Sequence, residues 1–183
     1  MSSAATVGGR ERPRLFLGFP LPDDAVEQLV SWQHRELDAG RIVPPENLHV
    51  TLAFLGARPA GELSAIVEAL RESAEGRERP VLVPKRYRET RSVGMLVADD
   101  EEGRATAIAD DLAGRLERLG VYEREKRPWL PHVTVVRFRE RPRLDPPVPD
   151  VGQVRLSEAA VYHSVLRPSG AQYVVLESVP LGG

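Results

Sequence analysis

The chain has 183 residues, a formal net charge of −2 and no cysteine. That length suits one domain, or one domain made of two similar lobes. The absence of cysteine excludes disulfides, thiol nucleophiles and Cys-ligated metal sites, and the charge excludes a protein that coats nucleic acid by counterion release. No apolar run is long enough to span a membrane, and residues 1–12 lack the apolar segment of a signal peptide. We expect a disordered leader over residues 1–12, a single bilobal domain over residues 13–183 and a cytoplasmic location.

Strand and helix signals alternate through the first half of the chain. Residues 14–19 are a predicted strand closed by Pro20, and Asp23 or Asp24 is expected to cap a helix that runs to about residue 38. Two prolines then lead into an apolar strand that ends at Gly56. An amphipathic helix is predicted over about residues 60–75. The buried stripe of that helix is expected to be Leu63, Ile66, Val67 and Leu70.

Similar units recur in the second half. Residues 81–83 and 92–97 are predicted strands around a basic stretch, and residues 103–119 are a predicted helix. Another apolar strand follows Pro131, and then come a proline-rich loop and two strands over about residues 154–166 and 173–179. The apolar side of the helix is expected to be Ile108, Leu112, Leu116 and Leu119. This order predicts an α+β fold with an internal pseudo-duplication, mainly antiparallel sheets and helices on the outer faces.

Two short strings carry the functional signal: Leu48-His-Val-Thr-Leu52 and Pro131-His-Val-Thr-Val135. Residues i and i+2 of a strand point to the same face, so each string presents an imidazole beside a hydroxyl. Two such units facing each other would supply two titratable groups and two hydrogen-bond donors, which suits phosphoester chemistry without a metal. The candidate catalytic residues are therefore His49, Thr51, His132 and Thr134.

Paired His residues also serve as metal ligands. Catalytic zinc usually takes three protein ligands, and no Asp, Glu or Cys stands at ligand spacing to either His. The metal-free interpretation is therefore favoured, and a metal site is kept as the alternative. His34 lies on the polar side of its helix and is expected to be solvated. His163 shares a strand face with Val161 and Val165 and is expected to be structural.

Four segments carry a family resemblance: residues 14–22, 47–56, 127–137 and 162–173. The third segment places Arg137 five positions after His132, which is the offset of an arginine in the family's second motif. In this order the segments resemble the two-histidine (2H) phosphoesterases, and among them the bacterial RNA 2′,3′-cyclic phosphodiesterases, also called 2′-5′ RNA ligases. The resemblance implies a bilobal α+β domain whose antiparallel sheets line a central cleft, with neither a metal nor an organic cofactor.

The resemblance also implies the reaction. A 2′,3′-cyclic phosphate at an RNA 3′ end would be hydrolysed to a 2′-phosphate, with His49 as the proton donor and His132 as the proton acceptor; the reverse reaction would be a 2′-5′ ligation. The expected partners are RNA 3′ ends or oligonucleotides and no membrane, and a monomer is expected. The candidate substrate-binding residues are Arg137, Arg127, Trp129 and Tyr87.

Three points stay open at this stage. Strict strand alternation puts Arg137 on the face opposite His132, unless a bulge brings it round. The substrate could instead be a small cyclic or 2′-5′-linked nucleotide. The protein could also be an RNA-end or nucleotide-binding module without turnover.

Overall fold

A computed structural model describes residues 11–182. These residues form nine strands: β1 (Arg14–Pro20), β2 (Arg41–Ile42), β3 (His49–Ala57), β4 (Val81–Glu89), β5 (Val93–Asp100), β6 (His132–Arg137), β7 (Val154–Arg155), β8 (Glu158–Arg167) and β9 (Gly170–Pro180). They also form three α-helices: α1 (Asp23–Glu36), α2 (Leu63–Ala74) and α3 (Arg104–Arg118). Short 3₁₀ turns occupy Pro45–Asn47, Ala60–Glu62 and Glu101–Gly103. None of the helices in this part of the chain is long and apolar enough to cross a membrane.

All strand pairs in this range are antiparallel, and the strands form one curled sheet in the order β7-β4-β5-β6-β3-β1-β8-β9, with β2 paired to β6. The two His-x-Thr strands, β3 and β6, are neighbours at the centre of this order, where Val50 lies opposite Val133. On one side of this pair the sheet continues from β6 through β5, β4 and β7, and on the other side it continues from β3 through β1, β8 and β9. The predicted α+β architecture with antiparallel pairing is thereby confirmed, and the central junction brings the two motifs together.

Strand β1 lies between β3 and β8, and its side chains are buried on both faces of the sheet. Leu15, Leu17 and Phe19 belong to the main core, which also holds the buried faces of the three helices. Phe16 points to the other face and packs with Ala160 and Tyr162 of β8. Burial of each such large side chain contributes about 2 kcal/mol to the free energy of folding.

Several element boundaries differ from the sequence predictions. Pro22, and not Asp23 or Asp24, is the N-cap of α1, because its extended backbone precedes the first helical residue and its carbonyl accepts from the Val26 N–H at 3.0 Å. The basic stretch that was expected to separate two strands lies largely inside β4, which pairs with β5 along a long hairpin. Leu119 was expected in a buried stripe but is 45% exposed, since α3 ends at Arg118.

The predicted leader is only partly covered by the structure. Residues 1–10 lie outside the described residues. Glu11 and Arg12 are attached to the domain: the Glu11 carbonyl accepts from the Ala60 N–H at 3.2 Å, and the Arg12 guanidinium donates to the Ala57 carbonyl at 3.4 Å. The two leader residues that the structure describes, Glu11 and Arg12, are therefore hydrogen-bonded to the domain.

Candidate active site

The two His-x-Thr strands share one backbone irregularity. The register of β3 with β1 skips Leu52, and the register of β6 with β5 skips Val135. Each skipped residue lies three positions after the motif histidine, His49 in β3 and His132 in β6. A bulge of this kind shifts the alternation of faces along the strand by one residue.

The bulges decide which side chains share the face of the histidines. In both strands a partly exposed His and Thr alternate with buried residues, two buried residues then follow each other, and an exposed residue comes next. That exposed residue is Phe54 in β3 and Arg137 in β6. Strict alternation had assigned Arg137 to the face opposite His132, whereas the bulge turns it to the face of His132 and Thr134.

Both imidazoles are oriented by the same backbone contact. Nδ1 of His49 lies 2.8 Å from the carbonyl oxygen of Asn47, and Nδ1 of His132 lies 2.8 Å from the carbonyl oxygen of Leu130. A carbonyl oxygen can only accept, so each Nδ1 carries the hydrogen. In the neutral ring Nε2 is then the basic atom, and the Thr51 hydroxyl, 2.8 Å away, donates to it in His49.

Aromatic rings surround His49. The centroid of its ring lies 4.9 Å from that of Phe16, 5.4 Å from that of Tyr173 and 5.9 Å from that of Tyr162. Phe16 and Tyr162 stack at 4.7 Å and so form a continuous apolar wall behind the imidazole. This wall removes water from one side of His49 and fixes the plane of its ring.

The same surroundings change the protonation of His49. Burial is the largest cause and lowers the pKa of His49 from 6.5 to about 4, the carbonyl of Asn47 acts in the raising direction, and the charges of His132 and Arg137 lower it further. His49 is therefore neutral at pH 7 in the free protein, with Nε2 available as a proton acceptor.

A pocket of about 300 Å³ opens in front of His49. Its wall combines Asn47, Thr134, Arg137 and Tyr173 with the tip of the β8–β9 hairpin. One imidazole, one hydroxyl and one guanidinium from the predicted set thus face a common space. A phosphoryl group is a chemically suitable occupant, because it offers oxygens both to the hydroxyl and to the planar guanidinium.

The bulge that orients Arg137 is held by a buried side chain from α1. The Nε2 atom of Gln33, which is fully buried, donates to the carbonyl of Val135 at 2.9 Å and to the carbonyl of Val43 at 3.1 Å. The Val43 N–H donates to the same Val135 carbonyl at 3.1 Å. The carbonyl of the bulged residue, which lacks a partner on β5, is satisfied in this way.

The structure places the other predicted site residues elsewhere. Arg127 is exposed and pairs with Glu125 at 3.2 Å, while the Trp129 indole N–H donates to the Thr51 carbonyl at 3.0 Å. The Tyr87 ring packs against the main core, and its hydroxyl donates to Glu89 at 3.0 Å. The pocket wall, as the described residues form it, contains none of these three side chains. Trp129 nevertheless ties the approach to β6 onto β3.

The two remaining histidines lie outside the site. His34 is exposed on α1, in agreement with its predicted position. His163 is partly buried on β8, and its neighbour Tyr162 occupies the face that carries His49. Within residues 11–182, no three His, Cys, Asp or Glu side chains are grouped as a metal ion would require.

Three further residues shape the site without having been assigned a role from the sequence. The side chain of Asn47 donates to the Ala171 carbonyl at 2.9 Å and so ties the backbone that orients His49 to the β8–β9 hairpin. Phe54 is 64% exposed, with its ring 5.4 Å from that of Phe16. Gly18 lies beneath His49, where an added Cβ would be 2.7 Å from the Val50 carbonyl oxygen. The sequence signal that could have identified Phe54 is its position five residues after His49, the same offset at which Arg137 follows His132.

Comparison with known proteins identifies the family. The sequence profile described as LigT like Phosphoesterase matches residues 19–86. The RNA 2′,3′-cyclic phosphodiesterase of Thermus thermophilus is 30% identical, over 93% of this chain and 91% of that protein, and the one of Archaeoglobus fulgidus is 31% identical, over 87% and 96%. The crystal structure of Escherichia coli LigT complexed with 3′-AMP has a TM-score of 0.81 at 26% identity, covering 93% of this chain and 99% of that one. The chain belongs to the LigT-like phosphoesterase family, which confirms the resemblance carried by the two motifs.

Proposed function

We propose that the protein hydrolyses the 2′,3′-cyclic phosphate at the 3′ end of RNA to a 2′-phosphate, by acid–base catalysis between His49 and His132. One observation carries this proposal: both motif strands bulge at the same position and pair at Val50 and Val133, which puts the two His-Thr pairs side by side on one face of the sheet, with His49 and Thr134 in the pocket wall. The names of the relatives supply the substrate class.

The reaction needs one base and one acid. A neutral imidazole takes a proton from water as the water oxygen attacks phosphorus, the P–O3′ bond breaks, and the other histidine, as imidazolium, protonates the departing O3′. The Thr134 hydroxyl donates to a non-bridging phosphoryl oxygen, where negative charge builds up, and the Thr51 hydroxyl does the same once it has turned away from Nε2 of His49. Arg137, in the pocket wall, offers two parallel N–H donors to the same group.

The protonation of His49 bears on which histidine is the acid. The family resemblance makes His49 the donor and His132 the acceptor, but a pKa of about 4 leaves His49 neutral at pH 7 in the free protein. The donor role requires that the bound phosphate raise this pKa. A phosphate anion acts in that direction, because a negative charge beside the ring stabilises the imidazolium against its burial, which is the main cause of the low pKa, and against the charges of His132 and Arg137.

An RNA ligand also needs a surface for its base. Phe54 presents an exposed ring on the face of His49, and this ring packs against Phe16, which is itself stacked on Tyr162. Nucleobases stack on such rings with little sequence preference, which fits an enzyme that acts on RNA ends in general.

The first experiment is hydrolysis of a short RNA ending in a 2′,3′-cyclic phosphate, in the presence of EDTA. His49→Ala and His132→Ala are each expected to lower kcat by about 10²- to 10⁴-fold, and His34→Ala, at an exposed histidine outside the site, serves as the matched control. Phosphorus NMR of the product distinguishes a 2′-phosphate from a 3′-phosphate. Full activity of His49→Ala, or activity that returns only on adding zinc or manganese, would contradict the proposal.

A second substrate assigns the acid. When sulfur replaces the bridging O3′, the leaving thiolate needs no proton, so the variant that lacks the acid recovers activity and the variant that lacks the base does not. Recovery of His49→Ala supports the donor role of His49. Recovery of His132→Ala reverses the two assignments while leaving the two-histidine reaction intact.

Ligation would use the same site in reverse. A 5′-hydroxyl takes the place of water, its proton goes to the base, and a 2′-5′ linkage forms when the acid protonates the oxygen that leaves phosphorus. We propose this as a minor activity, to be measured by mixing a cyclic phosphate end with a 5′-hydroxyl strand and following the longer product.

A further inference from the structure

A second pocket adjoins the catalytic one. It has a volume of about 610 Å³, and its wall includes Arg41, Arg137 and Arg139. Arg41 and Arg137 also line the catalytic pocket, so the two spaces share a wall. The guanidinium of Arg41 lies against Gly170 at the tip of the β8–β9 hairpin, within 3.3 Å of where a Cβ would stand.

These three arginines have no carboxylate partner among the ion pairs of residues 11–182. Arg41 of β2 lies directly opposite Arg137 of β6, an arrangement in which like charges destabilise a sheet. The acidic residue in the same wall is Glu140, which forms no ion pair with an arginine among the described residues. An anion placed between the guanidinium groups would remove their repulsion.

We propose that this second pocket binds the phosphodiester group that precedes the terminal nucleotide of the substrate. The proposal rests on the proposed function, because it takes the scissile cyclic phosphate to lie in the catalytic pocket. Two phosphates bound on either side of Arg41 would then be successive phosphates of one strand. The protein would therefore select an RNA end with at least one internal linkage over a cyclic mononucleotide.

Three substrates test the role of the internal phosphate: 2′,3′-cyclic AMP, the dinucleotide ApA with a 2′,3′-cyclic phosphate, and the same dinucleotide with a neutral methylphosphonate as its internal linkage. The wild type is expected to prefer the charged dinucleotide by about tenfold in kcat/KM over the other two. The methylphosphonate keeps the second base, so it separates the phosphate contact from base stacking.

Two variants test the arginines. Arg139→Gln and Arg41→Gln are each expected to lower the ratio of kcat/KM for the charged dinucleotide to that for the methylphosphonate by about three- to tenfold. Arg118→Gln removes the same charge from an exposed position on α3 and should leave that ratio unchanged. The slope of log kcat/KM against log salt should be steeper by about 0.7 for the charged dinucleotide, and Arg139→Gln should abolish the difference.

The outcomes distinguish this inference from the proposed function. Hydrolysis of all three substrates at equal efficiency overturns the second subsite and leaves the function standing. A fall in the ratio for Arg118→Gln as large as that for Arg139→Gln also overturns it, since the effect would then be general charge. Failure to hydrolyse any of the three substrates overturns the proposed function itself.

Discussion

Replacing Gln33 by Met is expected to weaken catalysis although the side chain lies in the core and touches no substrate. Gln33 donates to the carbonyls of Val43 and Val135, and Val135 is the bulged residue that turns Arg137 toward the cleft. Met has a similar volume and no donor, so the substitution removes the two hydrogen bonds without opening a large cavity.

The magnitude follows from the partners. Two hydrogen bonds are lost at about 1 kcal/mol each, and the Val43 carbonyl loses its contact with the side chain. Part of the loss is offset, because the buried Oε1 of Gln33 has no partner among the described residues and also disappears. The free energy of unfolding should therefore fall by about 2 kcal/mol. If the bulge relaxes, Arg137 leaves the phosphate and kcat/KM falls by about 10- to 100-fold.

Urea unfolding and kinetics on a cyclic phosphate RNA measure the two effects, and a double-mutant cycle with Arg137→Ala links them. Gln33→Met should lower kcat/KM in the wild-type background and have little further effect when Arg137 is already Ala. Wild-type kinetics in a destabilised Gln33→Met protein would refute the link between the bulge and the site. Equal losses in both backgrounds would show that Gln33 acts by another route.

Three other perturbations have defined outcomes. In NMR titrations the His49 ring should titrate near pH 4, and Arg137→Gln should raise that midpoint because a positive neighbour is removed. Since the pKa of His49 is lower in the folded than in the unfolded protein, its contribution to stability is present above about pH 6.5 and is lost as the pH falls toward 4. Unfolding measured across this pH range, with His49→Asn as the comparison, checks this. Phe54→Ala should lower kcat/KM about tenfold on a substrate with a terminal base and leave an abasic substrate unaffected, a distinction that fails if Phe54 only supports the fold. Gly18→Ala should lower stability by about 1–3 kcal/mol and reduce kcat, because its Cβ would press on the Val50 carbonyl and the His49 ring, whereas Gly114→Ala in α3 should be neutral or stabilising in the same unfolding assay.

The motif residues could be predicted from the sequence because their signal is local. His49 with Thr51 and His132 with Thr134 lie two residues apart in apolar strands, and strand geometry alone puts each pair on one face. The helices could likewise be predicted from their apolar periodicity, and only their terminal residues differ from the prediction, as the N-cap at Pro22 illustrates.

The arrangement around the motifs depends on distant contacts. The position of Arg137 is set by a bulge whose carbonyl is held by Gln33, about a hundred residues earlier in the chain, and no local pattern reports that contact. The ring cage of His49 likewise combines residues from three strands. Tyr87 was predicted as a substrate-binding residue at the rim of the site, but its ring packs against the main core.

The matched bulges have a consequence for the direction in which a substrate lies in the cleft. From the histidine to the fifth residue after it, β3 and β6 have the same burial pattern and the same bulge, and they run antiparallel past each other at Val50 and Val133. The fifth residue after each histidine therefore falls at opposite ends of the cleft, with the cation of Arg137 at one end and the ring of Phe54 at the other. The two strands are thus related by a nearly two-fold arrangement, and the different side chains of Arg137 and Phe54 make the two ends of the cleft unlike. A ligand with a charged end and an aromatic end therefore fits the cleft in one orientation only.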